Sequence, residues 1–201
     1  ALLALALLFT GAVLGCALPS PVPVEDGAST VADAGTGVAA ASSADSGSGS
    51  YAVNTTDMAG NTVQLSEAVS SIIVLDPADC EILFALGAGD LVIGRTADCD
   101  YPEETNLLPY VTVNNKADPD LILLSKPQVV VLSAVDAQDT ELMAALSGAG
   151  IVAVVTNAVD INSMYSAIAL LGALTNHTSE ANALVSSLIT SLAELQGKFS
   201  Q

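Results

Sequence analysis

Four short, mostly aliphatic runs, at 72–75, 91–93, 128–132 and 151–155, punctuate a chain that is otherwise polar or helically patterned. Uninterrupted β-branched runs of this length fit strands buried on both faces of a parallel sheet. After the first, Asp76, Pro77 and Asp79 make a strong helix start, because a side-chain oxygen takes orphan amides and proline loses nothing at the first helical position. That helix continues through Glu81, Ile82, Leu83, Phe84 and Leu86 and stops at Gly87 and Gly89. Further helices are expected at 119–125, 140–146 and 161–174, the last with Met164, Ile168 and Leu171 on one side. Ahead of this alternation, 51–57 and 61–65 flank Met58-Ala59-Gly60 and read as a hairpin. Strands and helices in this order imply an α/β fold, a doubly wound parallel sheet with right-handed crossovers. A final helix, capped by Thr178 or Ser179, repeats Ala181, Leu184, Val185, Leu188, Leu192 and Leu195 at helical spacing. About twenty residues give it a length of roughly 30 Å.

The first fifty residues follow other rules. Residues 1–15 are apolar, too short for the roughly 20 residues that span a bilayer, and fit the core of a secretion signal lacking its basic front. Val13-Leu14-Gly15-Cys16 resembles a bacterial lipobox, in which Cys16 would be lipidated; the plainer reading is a buried apolar segment with an incidental cysteine. Residues 16–50 are mostly Pro, Ala, Ser, Gly, Asp and Thr with almost no large apolar side chain, a composition that cannot offset its ordering entropy, and are expected to form a disordered tether to the membrane. Such a tether suits the outer face of a Gram-positive-type membrane. The formal charge is −18, from 4 basic and 22 acidic residues, which leaves no basic patch for nucleic acid or anionic lipid headgroups.

Two stretches carry a family resemblance: D-P-A-D-C-E-I-L-F-A-L-G-A-G-D-L-V-I-G-R-T-A-D-C-D-Y-P at 76–102, and S-K-P-Q-V-V-V-L-S at 125–133. Over roughly residues 51–199 the chain resembles the iron-complex and cobalamin substrate-binding proteins of ABC importers, whose sheets a similar hairpin opens. The resemblance implies one lobe of a two-lobed protein at 51–177 and the start of the long inter-lobe helix at 178–201, with a second lobe beyond. A complete one-domain protein is the plainer alternative. The resemblance also implies an extracytoplasmic, lipid-anchored binder that hands an iron-siderophore, corrinoid or related metal complex to an ABC permease. It implies no resident cofactor. Asp120 falls where the family carries a permease-docking glutamate, with a shorter side chain; an exposed acid at a helix N-terminus is the competing explanation.

Open α/β sheets place ligands at the carboxyl ends of their strands. Candidate ligand contacts are therefore Pro77, Ala78, Asp79, Thr96, Asp98, Asp100, Tyr101, Ser133 and Ala134. Capping is the plainer role for Asp76 and Asp79. Negative charge beside that helix start argues against a bare oxyanion ligand, and Arg95 is expected to pair with a neighbouring acid. With no Trp and 3% aromatics, Tyr101 and Tyr110 are the few side chains here suited to a flat macrocycle. Lipidation of Cys16 would leave Cys80 and Cys99, expected to form a disulfide outside the cell. Two buried thiols, or a metal site with Asp79, Asp98 and Asp100, are the alternatives. His177 is the only histidine, in a turn, so no catalytic constellation assembles and no metal site of histidines can. A tethered adhesion or sensing module is the non-transport reading, and an extracellular enzyme on a related fold a third.

Overall fold

A computed structural model describes residues 52–199. The expected signal segment, Cys16 and the tether lie outside them, as do Tyr51 and the last two residues.

Strands β1 (Val53–Thr56) and β2 (Thr62–Leu65) form the expected antiparallel hairpin, Val53 facing Leu65. A four-stranded parallel sheet follows, built from β3 (Ile72–Val74), β4 (Val92–Arg95), β7 (Val129–Ser133) and β8 (Val152–Thr156) in the spatial order β4-β3-β7-β8. Between β4 and β7 a two-residue pair, β5 (Thr112–Val113) and β6 (Lys116–Ala117), closes through Asn114 and Asn115, with φ of 52° and 60°. Asparagine tolerates that left-handed conformation better than most residues.

Period-two alternation divides the core in two. Ile72 and Val74 of β3, with Val129 and Val131 of β7, point to one face, while Ile73, Leu75, Val130 and Leu132 point to the other. On the first face lie α1 (Pro77–Ala85), α4 (Ile161–Leu174) and the start of α5 (Thr178–Phe199), through Leu83, Ile168, Leu171 and Ala181. On the second lie α2 (Pro119–Ser125) and α3 (Thr140–Gly148), through Ile122, Leu142 and Leu146. With helices on both faces the strands need no polar side, which is why aliphatic residues dominate them without alternation.

Local signals explain the element ends. Asp76, Asp118 and Asp139 cap α1, α2 and α3, each accepting from two backbone amides. Lys126 ends α2 in the left-handed region at φ 50°, and Pro127 follows, so Lys-Pro acts as a helix stop that launches β7. The final helix begins at Thr178 itself, one residue earlier than a Thr178 cap would allow. It packs on α4 where Gly172 lets the chains approach: a Cβ on Gly172 would stand 2.5 Å from that of Ala181.

The hairpin is pinned to the far edge of the sheet. Asp57 is buried, its carboxylate accepting from the amides of Ala59 and Asn61 and, across 98 residues, from Val155 at 3.1 Å. The Met58 amide donates to the Val155 carbonyl at 3.0 Å. One turn thereby occupies both exposed backbone groups of Val155, blunting an edge that would otherwise invite another strand.

Candidate functional site

The chain turns from β3 to β4 on one side and reaches β7 and β8 on the other, so the loops after β3 and β7 diverge. Such a switch point leaves a crevice at the carboxyl ends of the strands. A hollow of about 220 Å³ lies there, lined by Asp76, Ala78 and Asp79 after β3, Ser133 to Val135 after β7, and Thr156 to Val159 after β8. Val135 and Val159 are 75% and 78% exposed, giving it an apolar rim.

Asp79 is the buried acid of this hollow, at 2% exposure. It is not a cap, as expected, but turns inward, where Thr156 Oγ1 lies 2.5 Å from its Oδ2 and 3.3 Å from the Leu132 carbonyl. Burial raises its pKa from 3.8 to about 7; the Thr156 hydrogen bond opposes the rise and the charge of Asp76 adds to it. The Thr156 hydroxyl donates to Asp79 Oδ2, the one bond that favours the charged carboxylate against its burial. Opposite, Ser133 and Asp136 lock one another: the Ser133 hydroxyl donates to Asp136 Oδ2 at 2.7 Å and accepts from the Asp136 amide at 3.1 Å.

A second hollow of about 170 Å³ lies between the loop after β4 and the β5–β6 turn, lined among others by Thr96, Asp98, Asn115, Lys116, Asp136 and Asp139. Lys116 is spent on Asp139 at 2.7 Å, the only salt bridge among the described residues. Their hydrogen bond, the largest cause for each, raises the lysine pKa and lowers the aspartate pKa.

Arg95 departs from expectation. It pairs with no acid and is fully buried, donating from Nε to the Thr105 carbonyl at 2.6 Å and from one terminal nitrogen to the carbonyls of Cys99 (2.6 Å) and Thr96 (3.3 Å). The other terminal nitrogen donates to Asn106 Oδ1 and the Tyr110 hydroxyl, and the guanidinium stacks 4.5 Å from the Tyr110 ring centroid. Five contacts match five donors. Arg95 therefore shapes the loop from 96 to 110 and has no donor left for a ligand, and Tyr110 is its platform.

The two cysteines also differ from expectation. Both are free thiols, Cys80 within α1 instead of a loop, and both are buried. The neighbouring Cys99 thiol and burial raise the Cys80 pKa, whereas the Cys80 thiol and Thr96, whose Oγ1 lies 3.1 Å from Cys99 Sγ, lower that of Cys99 from 9.0 to about 7 against its burial. Among the described residues no group of three or more His, Cys, Asp or Glu side chains is arranged to hold a metal ion, so the pair does not join Asp79, Asp98 and Asp100 in one.

Ala78, Asp79, Ser133 and Ala134 thus meet in one hollow, Thr96 and Asp98 in the other, and Pro77 and Asp100 are exposed outside both. Tyr101, 65% exposed, lines a third and larger hollow of about 790 Å³ on the flank of α1, with Phe84, Leu107, Glu81 and Glu104. That hollow lies away from the switch point, and its size reflects an open groove beside the sheet. Asp120 is exposed in the first turn of α2. His177 is half-buried, its Nδ1 2.8 Å from the Thr175 carbonyl oxygen. Thr156 escaped sequence reasoning although a signal existed: V-V-V-L-S and V-A-V-V-T both end in a hydroxyl, and the register sets Ser133 beside Thr156.

Residues 72–201 match the family described as periplasmic binding protein. A curated relative from Bacillus subtilis (strain 168), named an uncharacterized ABC transporter substrate-binding lipoprotein, YvrC, is 28% identical over 149 residues, covering 74% of this chain and 48% of the relative. Among solved structures, the heme binding protein HmuT is 24% identical with a TM-score of 0.64, over 75% of this chain and 49% of that one. The periplasmic vitamin B12 binding protein BtuF of Vibrio cholerae is 20% identical with a TM-score of 0.58, over 66% and 52%. These structural likenesses are of fold, and the chain spans about half the length of the relatives it matches.

Proposed function

The chain belongs to the periplasmic binding protein family, and from that premise we propose that it is the ligand-capturing lobe of an ABC importer's substrate-binding lipoprotein. The observation that carries this reading is the hollow at the sheet's switch point, where an apolar rim of Val135 and Val159 surrounds Asp79, Ser133 and Thr156. No Lys or Arg lines it, and Arg95 has no donor to spare. A site so built favours a neutral or cationic metal complex with apolar flanks, such as a corrinoid or a neutral iron-siderophore, over a bare oxyanion. The ligand is bound and passed on, not transformed.

In this reading Cys16 is the lipid attachment site, residues 16–50 are the tether, α5 leads to a second lobe that closes over the ligand, and the protein works outside the cytoplasmic membrane. Asp120, exposed on α2, serves as the acid that meets the permease. Calorimetry on the complete protein with cyanocobalamin, hemin and a neutral ferric hydroxamate tests the reading. Binding of one with 1:1 stoichiometry is expected, weakened at least tenfold by Val159→Asp; failure of all three to bind would overturn it. Asp120→Lys is expected to abolish uptake in cells while leaving that affinity unchanged.

A further inference from the structure

Each polar side chain that lines the switch-point hollow has a partner within the protein, except one. Asp76 Oδ1 accepts from the amides of Ala78 and Asp79, the Thr156 hydroxyl donates to Asp79 Oδ2, and the Ser133 hydroxyl donates to Asp136 Oδ2 at 2.7 Å. Asn157, directly after β8, lines the same hollow and is exposed. Its backbone is held on both sides, the amide donating to Met58 Sδ at 3.4 Å and the carbonyl accepting from the Val159 amide at 3.2 Å. Its side-chain carboxamide meets no partner among the described residues. With the Ser133 and Thr156 protons spent, Asn157 Nδ2 is the hollow's uncommitted side-chain donor, and it carries an acceptor, Oδ1, in the same plane.

We propose that, given the ligand-capture reading on which this rests, Asn157 is the specificity-determining residue of the hollow and selects ligands that present a primary carboxamide beside an apolar body. A primary carboxamide pairs with Asn157 at two points, its carbonyl accepting from Nδ2 and its N–H donating to Oδ1. A carboxylate can use only Nδ2. It would leave Oδ1 unpaired and would be repelled by Asp76 in a hollow lined by no Lys or Arg. Val135 and Val159 at the rim take the apolar flank of the ligand and exclude water from the pair, so an unmatched Oδ1 costs more than one lost bond.

The test is calorimetry on the complete protein with cyanocobalamin, which carries several primary carboxamides, and with derivatives in which single side-chain amides are hydrolysed to carboxylates. Hemin and a ferric hydroxamate without primary amides are the comparators. Cyanocobalamin is expected to bind most tightly, at least one monocarboxylate at least tenfold more weakly. Asn157→Leu, close in size but unable to hydrogen bond, is expected to weaken cyanocobalamin at least fivefold and to shrink that tenfold gap below threefold. A general loosening of the site would weaken all of them together and leave the gap intact. Cyanocobalamin affinity and gap both unchanged in Asn157→Leu, or both ligands weakened with the gap intact, would overturn the role of Asn157. Binding of hemin or the hydroxamate in preference to cyanocobalamin would overturn the carboxamide class while the ligand-capture reading stood. Failure of every ligand to bind would overturn both.

Discussion

Replacing Asp79 by asparagine is expected to remove most of the decline in stability between about pH 4 and pH 7. Asp79 holds its proton up to about pH 7 when folded, whereas an ordinary aspartate titrates at 3.8. In that window the folded chain binds one more proton than the unfolded chain, so stability is fully present below pH 3.8 and drains away as pH rises to about 7. The loss amounts to on the order of 4 kcal/mol, an upper figure because local opening would admit water to the carboxylate. Asparagine keeps the shape and a partner for Thr156 but carries no charge. Urea denaturation at several pH values should find the variant near wild type at pH 4 and more stable than it at pH 8. General repulsion among the acids acts on both proteins, so the difference isolates this group. Parallel curves for wild type and variant would refute the buried-proton account. Thr156→Val gives an independent check: it removes a bond that lowers the Asp79 pKa, and should move the upper end of the window above pH 7.

Arg95→Lys, which cannot reproduce the fork that binds the Thr105, Thr96 and Cys99 carbonyls, is expected to cost about 3 kcal/mol by chemical denaturation and to raise proteolysis within 96–110. Gly172→Ala should cost about 1–3 kcal/mol, because the new methyl meets Ala181 Cβ at 2.5 Å and the His177 carbonyl oxygen at 3.1 Å; adding Ala181→Gly should recover part of it. Asp76→Ala removes the acceptor for the amides of Ala78 and Asp79 and should cost about 1 kcal/mol.

The sheet was legible because four aliphatic runs can be satisfied only by burial on both faces, and the helix starts because Asp-Pro pairs state them locally. The β5–β6 turn was not, since its signal is a lone Asn-Asn pair without flanking alternation. The site was half legible. Strand ends pointed to Asp79, Ser133 and Ala134, but whether an acid caps its helix or turns into the core depends on what stands across the crevice, and Thr156 is 77 residues away. Arg95 misled for a related reason. A lone cation among acids suggests an ion pair, yet five acceptors reached by a folded loop satisfied its donors without one.

The hairpin that seals β8 sets a timetable for folding. Asp57 emerges early in synthesis, and its partner Val155 follows 98 residues later. Until then neither the buried carboxylate nor the last strand has its mate, and contacts so distant in sequence are slow to form. The edge of the sheet therefore stays unsealed until the chain has been made as far as Val155.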